Sequence, residues 1–360
     1  MISVIGAAVA SFFATLLAMA ALRPVAVAVE LVDKPGGRKT HHGDIPVVGG
    51  LAMFMGCTFA IGLLPPSAFF SAGLISAATL VVLVGLLDDR FELSPYARLT
   101  AHVVAATLVL TVSKLSITTL GNPFGDQEVA FGPLASAGFT CVAVVGAINA
   151  FNMLDGMDGL AGTMAFVSLI GIAILSGMIG DLTTASVSVV ICSGVAAFLI
   201  FNIPASFNRR FRCFMGDAGS TLLGFLLACL CIVISQGEGV KVSPTTTLWM
   251  VALPLYELLW TTIRRLLRGQ SPFRPDRAHF HHKLLEAGFG VRGAFFVLIF
   301  LGAILASAGL LVHSFELDNA LGFALWLLSG LGMVVLMHHA EVLWRVVPDR
   351  FRRTGVAEVL

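Results

Sequence analysis

Apolar runs close to the length of a bilayer crossing follow one another along almost all of this 360-residue chain. They lie near 2–29, 46–64, 68–87, 97–113, 134–150, 159–179, 182–201, 216–235, 246–266, 293–313 and 319–339. A helix needs about 20 mostly apolar residues to cross the hydrocarbon core, whereas a barrel strand needs only about 10. The runs therefore predict an all-α polytopic membrane protein with about eleven transmembrane helices. Composition agrees, with 57% hydrophobic and 12% charged residues against about 25% charged in soluble domains. No Lys or Arg precedes the first run, as the n-region of a cleavable signal peptide requires, so that run reads as a retained helix. The six cysteines are mostly scattered through apolar runs without a CxxC pair and read as small buried hydrophobes.

Charge fixes the expected orientation. With the N-terminus outside, every Lys and Arg except Lys114 and Lys241 falls on the segments or helix ends of one face. That asymmetry marks the cytoplasmic side and puts the C-terminus there as well. The opposite loops carry Asp126, Glu128, Asp181, Glu238, Glu316 and Asp318. Residues 115–133, LSITTLGNPFGDQEVAFGP, alternate β-branched and polar residues around a turn, which predicts a small external β-hairpin. No repeat or linker divides the chain, so residues 1–360 read as a single domain.

Acids gather on the basic face. Asp88 and Asp89 end the third run, Asn152, Asp155 and Asp158 follow the fifth, and Asp217 opens the eighth. Adjacent carboxylates at a helix C-terminus oppose the macrodipole and each other, so a cation, either Arg90 or a divalent metal, is needed beside them. Asn152, Asp155 and Asp158 are spaced to share one helical ridge, and Gly156, Gly159 and Gly162 leave room for a ligand beside it. Their amide and carboxylates suit the polar edges of a nucleobase; a capped start to the next helix is the structural alternative. Asp217 suits either an N-cap or a Mg²⁺ ligand beside phosphate. His279, His281 and His282 stand among Arg274, Arg277 and Lys283, and an earlier loop supplies Lys39, His41 and His42. The cationic surroundings favour an anion such as a diphosphate over a zinc ion.

Acids for a divalent ion, basic groups for phosphates and glycine turns together imply phosphoryl chemistry where membrane meets cytoplasm. The segments RKTHHGDIPVVGG, GLLDDRFELS, NAFNMLDGMDGLAG, FMGDAGST and SPFRPDRAHFHHKLL, in order from about residue 33 to 290, resemble the polyprenyl-phosphate N-acetylhexosamine-1-phosphate transferase family, glycosyltransferase family 4. The run Ile45–Gly50 and the histidine segment resemble its bacterial N-acetylglucosamine branch rather than the muramoyl-pentapeptide branch. Phe280 departs from the aliphatic residue common at its position.

The resemblance implies attack by undecaprenyl phosphate on UDP-N-acetylglucosamine with release of UMP, at the bacterial inner membrane and with an active site on its cytoplasmic face. It implies Mg²⁺, replaceable by Mn²⁺, with Asp217, Asp88 and Asp89 as metal ligands and Asp88 and Asp89 also as catalytic residues. Asn152, Asp155 and Asp158 would bind the nucleotide, and His279, His281, His282, Arg277 and Lys39 the diphosphate or sugar. The expected partners are the two substrates and the lipid bilayer, with no nucleic acid; the oligomeric state is left open, a homodimer included. A direct displacement is expected, Asp88 orienting the lipid phosphate or removing a residual proton, with a covalent Asp–phosphosugar as the competing route. Another UDP-N-acetylhexosamine or UDP-N-acetylmuramoyl-pentapeptide as donor, or a transporter with membrane carboxylates near the midplane, are the alternative readings.

Overall fold

The computed structural model describes residues 3–33, 43–65, 71–203, 211–236, 242–272 and 279–340. Among them the chain is mostly helical: α1 (Val4–Ala28), α2 (Gly49–Ile61), α3 (Ala72–Phe91), α4 (Pro95–Thr111), α5 (Pro133–Leu154), α6 (Leu160–Met178), α7 (Leu182–Asn202), α8 (Gly216–Gln236), α9 (Pro244–Met250), α10 (Ala252–Leu267), α11 (Phe280–Glu286), α12 (Val291–Ser314) and α13 (Asn319–His338). Several helices begin where a small polar side chain accepts from a free N–H of the first turn. Ser71 accepts from Leu74 N, Ser94 from Ala97 N, and Asp181 from Thr184 N.

Eight described helices are long and apolar enough to cross a membrane by themselves: α1, α3, α5, α6, α7, α8, α12 and α13. The other three apolar runs fold differently for local reasons. In the second run, residues 45–46 pair as a strand, and only 13 residues remain helical in α2. The fourth gives the 17-residue α4. The ninth splits into α9 and α10 at Val251, because Pro254 has no N–H for the Met250 carbonyl. The helices carry exposed Phe13, Leu17, Val142, Phe300, Leu328 and Leu331, the outward apolar surface expected of helices that meet lipid.

The loop expected to form a hairpin pairs over a few residues, and a two-stranded sheet forms elsewhere in addition. Residues 115–133 fold back antiparallel around the Thr119–Ala130 bridge, Leu120 N donating to Val129 O at 2.9 Å, and Val129 N to Gly121 O and Phe131 N to Thr118 O each at 2.8 Å. Gln236 accepts from Thr118 N at 2.8 Å and Thr119 N at 3.2 Å and donates to Thr119 O at 3.0 Å. A side chain from α8 thus ties this loop to the bundle. The one described two-stranded sheet joins β1 (Val32–Asp33) to β2 (Ile45–Pro46), antiparallel, with Asp33 opposite Ile45.

Helix α8 is the hub, buried without interruption from Ala218 to Leu230. Its neighbours approach closely through glycine. A Cβ on Gly85 of α3 would stand 2.3 Å from the Ala218 Cα, and one on Gly50 of α2 would stand 2.2 Å from the Gly219 nitrogen. Backbone on the facing side has nowhere to retreat. Gly85→Val should therefore overpack the α3–α8 crossing by roughly 1–3 kcal/mol and lower the detergent-solubilised melting temperature by several degrees. Gly138→Val on α5, where nothing lies within 4 Å, should melt like the unmodified protein; equal melting of the two variants contradicts the crossing.

Candidate active site

The direction of the helices decides where the polar groups meet. The C-terminal ends of α3, α5 and α7 and the N-terminal ends of α4, α6, α8 and α12 lie at one end of the bundle. A cavity of about 620 Å³ opens there, lined by Asp33, Asp89, Asp155, Asp158, Asp217, Arg212, His281 and His282 among others. A smaller pocket of about 50 Å³ lies beside it, lined by Asp88, Arg98, His102, Asn149, Asn152 and Asp217 with apolar Val84 and Leu99. Asp217 belongs to both.

The start of α8 is built on α3. Asp217 N donates to Asp89 Oδ1 at 2.7 Å and Ala218 N to Asp89 Oδ2 at 3.3 Å. Asp89, from a distant segment, thus supplies the cap that the sequence suggested for Asp217, and Asp217 itself stands in the first helical turn. Gly216 takes φ +71° here, and a Cβ on it would reach 2.4 Å from Asp89 Oδ2, so the approach requires glycine. Asp217 Oδ1 accepts from Asn152 Nδ2 at 2.6 Å, and the same amide reaches Ser220 Oγ at 3.1 Å.

Asp88, one residue before Asp89, faces the smaller pocket. It is 5% exposed and accepts from Leu93 N and from Arg98 Nη1, each at 2.8 Å. Arg98 Nη1 also lies 3.7 Å from Asp217 Oδ2. The cation expected beside the paired acids is therefore Arg98 for Asp88, while Arg90 turns outward to Glu30 at 3.1 Å.

A model of the family described as Glycosyl transferase family 4 matches residues 71–235, which carry every cavity acid except Asp33. The chain is 37% identical over 302 residues to the undecaprenyl-phosphate alpha-N-acetylglucosaminyl 1-phosphate transferase of Escherichia coli (strain K12), a match spanning 84% of this chain and 82% of that protein. Proteins of the same name from Pasteurella multocida and Haemophilus influenzae are 36% and 34% identical, over 88% and 93% of this chain and 88% and 94% of their own lengths. The chain belongs to glycosyl transferase family 4.

In this family member the FNMLDGMDG segment does not form the single ridge that its spacing suggested. Helix α5 stops at Leu154, Asp155 is its C-cap and Gly159 turns left-handed at φ +71°, so the three polar groups fan apart. Asn152 faces the smaller pocket and Asp217. Asp155 lines the large cavity; burial, and after it the charges of Asp217 and Asp89, raise its carboxyl well above the ordinary 3.8. Asp158 pairs with Arg212, whose guanidinium lies over the Phe214 ring. The segment is pinned through Asn202 of α7, which accepts from Gly159 N and donates to Cys213 O, both at 2.8 Å.

The histidines divide too. His281 and His282 line the large cavity with ring centroids 4.1 Å apart, and a Cβ on Gly156 would stand 2.7 Å from His281 Cε1. His279 turns to Glu257, Nδ1 to Oε1 at 2.8 Å, while Phe280 N donates to Oε2 at 2.9 Å. Glu257 is 0% exposed and both caps α11 and fixes His279. Lys39 and Arg277, with His41 and His42, lie outside the described residues.

Sequence reasoning did not single out Arg98, Arg212, Asn202, Glu257 or Asp33. Arg98 and Arg212 were visible only as members of the basic face, and no local signal marked Glu257 inside an apolar run.

Among the described residues no three acids, imidazoles or thiols form a complete metal cage. Mg²⁺ asks for less, one or two carboxylates with water and substrate phosphate. Asp217 and Asp155 suit that need, because both line the cavity; Asp217 accepts from Asn152 through Oδ1 alone, whereas both oxygens of Asp88 and of Asp89 already accept hydrogen bonds from within the protein.

Burial first, then His282 and His279, push the His281 imidazole down to about 3, and neither ring nitrogen has a partner among the described residues. The folded pKa lies below the ordinary 6.5, so the unfolded chain binds the proton more readily. Stability from the neutral ring is complete above 6.5 and is lost as pH falls towards 3. In histidine-labelled protein the His281 resonances should not titrate between pH 8 and 5; a midpoint near 6.5 contradicts the buried neutral ring.

Proposed function

We propose that the protein transfers N-acetylglucosamine-1-phosphate from UDP-N-acetylglucosamine to undecaprenyl phosphate, with release of UMP. The observation that carries this reading is the position of Asp217, the shared wall of two unlike cavities. A transferase with one water-borne and one lipid-borne substrate needs two approaches to one reacting phosphorus. The large cavity has a volume usual for small-molecule sites, about 300–1,000 Å³, and takes the sugar nucleotide. The smaller one, with Arg98 and amides beside apolar Val84 and Leu99, takes the acceptor's phosphate. The names carried by the relatives support the same donor group and acceptor.

Asp155, Asp158, Arg212, His281 and His282 line the space for the donor. Arg212, held by Asp158, is a fixed cation for the diphosphate, and neutral His281, with His282 beside it, offers hydrogen bonds. Asp217 and Asp155 are the residues that would hold Mg²⁺ or Mn²⁺. When bound, such an ion neutralises diphosphate charge and polarises a phosphoryl oxygen. Asp88 acts through Arg98, whose guanidinium it fixes where the acceptor phosphate arrives. That phosphate has a second pKa near 6 and is largely dianionic at neutral pH, so it needs orientation more than a base. With its oxygens already engaged by Leu93 N and Arg98, Asp88 is poorly disposed as a covalent nucleophile, which favours direct displacement.

The basic face of the sequence supports a cytoplasmic position for this end of the bundle, in a protein of the bacterial inner membrane. Counting α2, α4 and the α9–α10 pair as crossings gives the eleven-span arrangement, with the N-terminus outside.

Purified protein in detergent should release UMP from UDP-N-acetylglucosamine only when undecaprenyl phosphate and Mg²⁺ are both present. UDP-N-acetylgalactosamine and UDP-N-acetylmuramoyl-pentapeptide should turn over at least tenfold more slowly. Preference for either of them overturns the sugar assignment, and exchange of labelled UMP into the donor without acceptor overturns direct displacement.

A further inference from the structure

His102 is an acid–base side chain that none of the sequence motifs includes. It lies on α4 one turn beyond Arg98, an i, i+4 pair that shares a helix face, about 6 Å further along the axis. Its ring lines the smaller pocket with Arg98, Asn152 and Asp217. The residue is 5% exposed, and its Nδ1 is buried without a hydrogen-bond partner among the described residues. A buried imidazole with an unused ring nitrogen is unfavourable to the fold, and groups of this kind point to a ligand or a role beyond packing.

The pocket around it limits what that ligand can be. About 50 Å³ suits a headgroup and is too small for a sugar nucleotide. Its cation, Arg98, is bound to Asp88 at 2.8 Å and directed towards Asp217 at 3.7 Å, and Leu99 and Val84 supply apolar wall. A phosphate monoester on an apolar chain matches that mixture. Arg98 stands near the α4 N-terminus, and His102 stands one turn deeper along the helix.

We infer that His102 is an acceptor-binding residue: its neutral imidazole donates a hydrogen bond to a non-reacting oxygen of the lipid phosphate, gripping from the deeper side what Arg98 holds from the helix start. This rests on the proposed transferase reading and adds a contact to it. A half-turn of the ring about χ2 exchanges Nδ1 with Cδ2, so the unpartnered nitrogen can be presented on either side of the ring. The interaction is made with acceptor alone, which separates it from the donor groups in the large cavity.

The test is steady-state UMP release by His102→Leu and His102→Gln, varying each substrate in turn, with melting temperatures in the same detergent. Leu fills the site without a donor, and its KM for undecaprenyl phosphate should rise at least tenfold, with the KM for UDP-N-acetylglucosamine unchanged within twofold. Gln restores an N–H, and its acceptor KM should return to within threefold of the unmodified protein. Removal of an unpaired buried polar group should leave the melting temperature of the Leu variant equal or higher. An unchanged acceptor KM in the Leu variant, a matching rise in the donor KM, or a Leu variant that melts several degrees lower each overturns the inference. Unmodified protein that releases no UMP overturns the transferase reading instead, and this one with it.

Discussion

The site depends on two backbone hydrogen bonds, from Asp217 N and Ala218 N to the carboxylate of Asp89. A helix start has free N–H groups with no intrahelical partner. When it is buried against a neighbour those groups need an acceptor. Asp89 provides it from the end of α3, where its own charge opposes the α3 dipole and favours that of α8. One carboxylate thereby offsets an unfavourable helix end with a favourable one. The docking fixes the first turn of α8, and that turn carries Asp217. Gly85, Gly50 and Gly216 are the condition for it, because a side chain at any of them would meet backbone or Asp89 at 2.2 to 2.4 Å.

The same junction explains why two adjacent acids do different things. Neighbouring residues on a helix point about 100° apart, so Asp88 and Asp89 face opposite sides of the wedge made by the α3 end. Asp89 borders the large cavity, and Asp88 borders the smaller pocket with its guanidinium partner. Asp217 stands where the two spaces adjoin, with Asn152 on one oxygen and Arg98 near the other. Asp155 adds to this group of acids, and burial first, then the charges of Asp217 and Asp89, raise its carboxyl above the ordinary range. A transporter would set such groups near the middle of the helices, whereas here they collect at one end of the bundle.

Much of this was legible in the sequence, for identifiable reasons. Apolar run lengths report directly on helices that cross a membrane, and alternating helix directions send every second run end to the same side. Asp88, Asp89, Asn152, Asp155, Asp158, Asp217, His281 and His282 therefore share one face by run order alone. What the runs do not report is where the backbone departs from helix inside them. Pro254 breaks one run at Val251, and the pairing of Ile45–Pro46 shortens another. Nor does spacing reveal a helix that stops early: the ridge through Asn152, Asp155 and Asp158 assumed that α5 continues past Leu154. Roles decided by contact between distant segments, such as Glu257 with His279 or Asp89 with α8, leave no local mark.

Asp217 is the group that joins the two spaces, and Mn²⁺ reports on it directly. Electron paramagnetic resonance titration of the detergent-solubilised protein with UDP-N-acetylglucosamine present should count one tightly held Mn²⁺ per chain. Asp217→Asn should lose that ion and Asp155→Asn should hold it at least tenfold more weakly. Tight binding of a single Mn²⁺ by Asp217→Asn, equal to that of the unmodified protein, would contradict the account.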